Sequence, residues 1–73
     1  MAQNYYYNYA EIDPATNMCV GVYTTTYENS GEDANETWVE IPVYDEEYCL
    51  KYYINGEWYE DAEGTIPWTS SLL

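Results

Sequence analysis

The chain has 73 residues, with one Lys, no His and fourteen Asp and Glu, for a formal charge of −13 at pH 7. That charge repels nucleic acids and anionic lipid surfaces, which are bound through Lys and Arg, so no direct contact with either is expected. Without His there is no Ser-His-Asp triad, and two cysteines alone cannot close a zinc site.

In chain order, the first predicted element is "YYYNYAEI", residues 5–12. Its alternation predicts a strand with Tyr5, Tyr7, Tyr9 and Glu11 facing outward and Tyr6, Ala10 and Ile12 facing the core. "DPATN" follows as a turn, with Pro14 early in it and Asn17 tolerant of a left-handed backbone. "MCVGVYTTT", residues 18–26, has the β-branched content of a second strand, and Gly21 marks a bulge or a close approach. The two runs predict a hairpin.

"YENSGEDANE" is the most polar stretch, read as a solvated, mobile loop carrying Glu28, Glu32, Asp33 and Glu36. "TWVEIPV" resumes the strand pattern, with Val39, Ile41 and Val43 on one face and Trp38 and Glu40 on the other. Pro42 cannot donate to a ladder and ends the strand or puts it at an edge. "YDEEYC" fits one helical turn capped by Asp45. Next, Asn55-Gly56 is a strong signal for a type I′ hairpin turn, whose two central residues need positive φ. This register sets Ile54 opposite Glu57, Tyr53 opposite Trp58, Tyr52 opposite Tyr59 and Lys51 opposite Glu60. Lys51 is thereby a cross-strand partner contributing about 0.2–1 kcal/mol.

The expected fold is mainly β: one small antiparallel sheet of four or five strands with at most one helical turn. Residues 1–67 form a single domain, and residues 68–73 are an apolar tail that either packs across the sheet or, the preferred reading, docks on a partner chain. Below roughly 70–80 residues a lone core supplies only about 3–5 kcal/mol, so burial against neighbours is expected to help. Eleven Tyr and three Trp without a Phe suit half-buried sites and interfaces. Cys19 and Cys49 are read either as a disulfide or, preferentially, as two small buried thiols. Residues 1–10 lack the basic and apolar regions of a signal peptide, and no run reaches the length of a membrane span.

No catalytic constellation, cofactor motif or metal-ligand spacing is present. The acidic clusters lack the alternation of an EF-hand loop, and Asn35-Glu36-Thr37 matches a glycosylation sequon without secretory context. "YAEIDPATNMCVGV", "WVEIPVYDEEYCLKYYINGEWYED" and "GTIPW" together resemble small acidic virion-associated or tail-module proteins of tailed bacteriophages. That resemblance implies a non-enzymatic structural or adaptor protein of the virion, assembled in the host cytoplasm. Its partners would be other phage structural proteins or further copies of itself. The interface expected from the residues is Tyr5, Tyr7 and Tyr9 on the first strand with Trp68, Leu72 and Leu73 in the tail. The alternative is an acidic mimic that occupies a basic nucleic-acid-binding site through Glu28, Glu32, Asp33 and Glu36.

Overall fold

The computed structural model describes residues 6–73. Five strands form two antiparallel sheets: β1 (Tyr7–Ile12), β2 (Cys19–Thr25), β3 (Trp38–Ile41), β4 (Tyr52–Ile54) and β5 (Glu57–Tyr59). The first sheet has the order β2-β1-β3 and the second is the β4-β5 hairpin. One 3-10 turn, Glu46–Tyr48, lies between β3 and β4. The chain is thus mainly β and antiparallel as expected, but its strands are divided between two sheets.

Local chemistry explains most element boundaries. Asp13 accepts the backbone N–H groups of Thr16 and Asn17 at its carbonyl, and Asn17 turns the chain at φ 65°. In β1–β2, Glu11 faces Gly21 while Ile12 faces Cys19, leaving Val20 as the extra residue of a bulge. A Cβ at Gly21 would lie 2.7 Å from the Tyr23 hydroxyl, so a larger residue there would displace the end of that side chain. β3 stops at Ile41, immediately before Pro42. Asp45 caps the 3-10 turn by accepting from Glu47 N at 2.9 Å. Asn55 and Gly56 adopt φ 52° and 85°, and the β4–β5 register is the predicted one.

The two sheets meet where residues 17–19 run beside residues 50–53. Cys19 N donates to the Lys51 carbonyl at 2.8 Å, Leu50 N to the Cys19 carbonyl at 3.0 Å and Tyr53 N to the Asn17 carbonyl at 2.9 Å. Leu50 turns the backbone into this pairing at φ 73° while its side chain stays 68% exposed. Ala10, Ile12, Cys19, Ile41 and Tyr48 form the buried cluster, with Val22, Val39, Tyr53, Trp58 and Trp68 packed against it.

The other face of the three-stranded sheet is aromatic. Tyr7 and Tyr9 stack at 6.5 Å, Tyr9 meets Trp38 at 5.6 Å, and Tyr23 stacks on Trp38 at 5.0 Å. Trp38 leaves its indole Nε1 buried without a hydrogen-bond acceptor, at a cost of about 1–3 kcal/mol that the stacking must offset. The polar loop is tied down over this face. Asn29 N donates to the Tyr9 hydroxyl at 2.7 Å, and the Asn29 side chain bonds both the N–H and the carbonyl of Asn35.

Tyr6, assigned to the core from the alternation, is 61% exposed. It precedes the ladder, whose first pair is Tyr7 with Thr25, so no neighbouring strand covers it.

Leu50 pays a backbone penalty that its exposed side chain does not recover by packing. Leu50→Gly is therefore expected to raise stability by about 0.5–1 kcal/mol, read as a higher urea midpoint with an unchanged slope. An unchanged or lower midpoint would show that Leu50 is not held in the left-handed region.

Candidate functional site

A concavity is built around Tyr48. The Asp45 cap sets the 3-10 turn, and the turn drives Tyr48 inward until only 2% of it is exposed. Burial, reinforced by the nearby Asp45 carboxylate, raises the pKa of its phenol above the ordinary range. Trp58 meets Tyr48 edge-on at 4.8 Å and Trp68 does so at 4.9 Å, so two indoles flank one buried ring.

The segment after β5 is positioned by backbone bonds. Glu60 N donates to the Ile66 carbonyl at 2.8 Å and Trp68 N to the Trp58 carbonyl at 3.0 Å, and Pro67 bridges to Tyr59. Between them, the Asp61 carboxylate collects the N–H groups of Thr65 and Ile66, each at 2.9 Å, and the Thr65 hydroxyl. These bonds, led by the Thr65 hydroxyl, hold its carboxyl below the usual range. Beyond Trp68, Ser70 is buried and its hydroxyl donates to Asp45 while accepting from Leu72 N at 3.1 Å.

The result is a groove of about 460 Å³. Tyr48 lies at its base with Trp58 and Trp68, and Pro42, Tyr59, Pro67 and Leu73 complete the apolar lining. Glu57 is its one charged lining residue, and the Tyr59 hydroxyl donates to it at 2.8 Å. Lys51 sits 3.8 Å from Glu60, as the hairpin register requires, and its ammonium also lies 5.3 Å from the Trp68 ring centroid.

This arrangement can bind through aromatic and apolar area. Its most suggestive polar pair, Ser70 with Asp45, is a structural tie, since both side chains also accept backbone N–H groups. Among the described residues, no three His, Cys, Asp or Glu side chains converge to hold a metal. No helix among them is long and apolar enough to cross a membrane.

Among the described residues, those expected at the interface are divided between two faces of the chain. Tyr5 lies outside the described residues. Tyr7 is half-buried, and Tyr9 is only 3% exposed where Asn29 of the polar loop bonds its hydroxyl, so Tyr9 offers little surface to a partner. Trp68 packs on the opposite, core-facing side of the sheet. Residues 68–73 are therefore not a free tail: Trp68 and Ser70 are anchored within the chain. Leu72 and Leu73 remain 61% and 66% exposed, and Leu73 lines the groove. Glu28, Glu32, Asp33 and Glu36 are all exposed. Tyr48, Tyr59, Pro42 and Pro67 were not among the expected site residues. The "IP" pairs at residues 41–42 and 66–67 were the only local signal, since proline there ends a ladder and leaves an edge open.

No protein-family model, curated protein or solved structure matches the chain.

If Trp68 is part of the core, Trp68→Ala removes a large half-buried ring and is expected to cost about 2–4 kcal/mol. That is most of the stability available to so small a domain. The variant should lose its near-ultraviolet circular dichroism and its cooperative urea transition at 25 °C. Wild-type stability would instead place Trp68 outside the core.

Proposed function

We propose that this chain is a non-enzymatic structural or adaptor protein of a phage particle, and that it binds a neighbouring subunit through the groove and the exposed Leu72 and Leu73. The observation that carries this reading is the groove itself, an open aromatic and proline-lined surface continuous with exposed apolar side chains at Leu73. Aromatic anchors in a desolvated pocket are the usual source of binding energy at protein interfaces. A marginal core gains stability when such a surface is covered. The partner is expected to present a basic rim, because a second copy would bring a further −13 into contact while a cationic surface is attracted by the same field.

A second reading rests on a different observation. Among the described residues the Lys51–Glu60 pair is the one ion pair, so the acids of residues 28–36 face solvent without a cationic partner. That surface suits an inhibitor that occupies a basic nucleic-acid-binding site.

Peptide mass spectrometry on gradient-purified particles separates the two readings. Stoichiometric copies relative to the major capsid protein are expected for a structural component, and a chain truncated after Ser71 should fold but be lost from particles. Absence from particles, with a host complex whose affinity falls steeply between 50 and 200 mM salt (about 10-fold or more), would favour the inhibitor.

A further inference from the structure

Cys19 opens β2 and is fully buried, Cys49 follows the 3-10 turn and is partly exposed, and both thiols are free. The backbone sets them side by side. Cys19 donates its N–H to the Lys51 carbonyl at 2.8 Å and accepts Leu50 N–H at 3.0 Å, so the residue immediately after Cys49 is paired with Cys19 itself. The Cys19 thiol donates to the Gly21 carbonyl at 3.2 Å, and the neighbouring Cys49 adds to the upward shift that burial gives it.

We propose that Cys19 and Cys49 form an intramolecular disulfide when the folded protein meets a low-molecular-weight disulfide, locking the start of β2 to the turn that precedes β4. With glutathione disulfide as oxidant, the Cys49 thiolate attacks one sulfur. The glutathione S–S bond breaks, one glutathione thiolate leaves, and a mixed disulfide remains on Cys49. Cys19 then loses its proton and attacks the Cys49 sulfur, expelling the second glutathione. Two protein thiols are oxidised and one glutathione disulfide is reduced to two glutathione molecules. Burial pushes the Cys19 thiol up to about 11, so the second step is the slow one and quickens as pH rises toward that value.

The bond would close a roughly 30-residue loop at the junction of the two sheets, the kind of staple that small domains use. Folding holds the two segments together through the bonds of Cys19 to Leu50 and Lys51, so the exchange equilibrium with glutathione should favour the crosslink roughly 10- to 100-fold more in the folded chain than in urea.

The test treats the full chain with glutathione disulfide under native conditions and in urea. Non-reducing peptide mapping and intact mass then quantify the products against glutathione ratio. A Cys19–Cys49-linked peptide, the loss of two hydrogens and a midpoint temperature raised by roughly 10 °C and reversed by dithiothreitol are expected. Cys49→Ser, which leaves the buried position intact, should show no such shift. Equal constants in the folded and unfolded chain would overturn the proposal. So would a persistent glutathione adduct, or an intermolecular dimer, on Cys49 with Cys19 still free.

Discussion

The fold depends on the backbone pairing of residues 17–19 with residues 50–53. A two-stranded hairpin in water is marginal at best, and β4–β5 has only three residues in each strand. The bonds between Asn17, Cys19, Leu50, Lys51 and Tyr53 attach that hairpin to the end of the first one. They also bring the 3-10 turn under the sheet, which buries Tyr48 and lets Trp58 and Trp68 close around it. Leu50 reaches its place in this pairing through a backbone conformation that leucine rarely adopts. Local strain is thus accepted at the point where the two halves join.

The absence of Phe has a counterpart in the packing. The tyrosine rings fill apolar space while several hydroxyls serve as ties: Tyr9 to the polar loop, Tyr23 to Glu11 across the hairpin, and Tyr59 to Glu57. A small sheet has two faces and few residues to cover them, so tyrosines, whose hydroxyls can reach a partner or solvent, can be half-buried on either face, whereas Trp38 leaves its Nε1 unpaired. The acids follow a similar logic. Asp13, Asp45 and Asp61 each accept backbone N–H groups in a turn, whereas Glu28, Glu32, Asp33 and Glu36 remain at the surface. Negative charge therefore both builds the turns and leaves a field that repels copies of the chain.

Much of the local structure was legible from the residues alone. Asn55-Gly56 specified a turn, and the turn specified its register, down to Lys51 beside Glu60. Pro42 ended a strand, Asp45 capped a turn, Asn17 took a left-handed backbone, and the alternation of β3 put Val39 and Ile41 inward. Each follows from an interaction spanning a few residues. The division into two sheets, the burial of Tyr9 and the anchoring of Trp68 and Ser70 were not legible. They arise from contacts between distant segments: Asn29 with Tyr9, Trp68 with Trp58 and Tyr48, Ser70 with Asp45. Alternation separates the two faces of a strand, but it does not reveal that a polar loop will return over the face called outward. An apolar chain end looks the same whether it covers its own core or awaits a partner. Only the path of the chain after Gly64, held by Asp61 and by the edge of β5, brought Trp68 back to the core and left Leu72 and Leu73 in solvent.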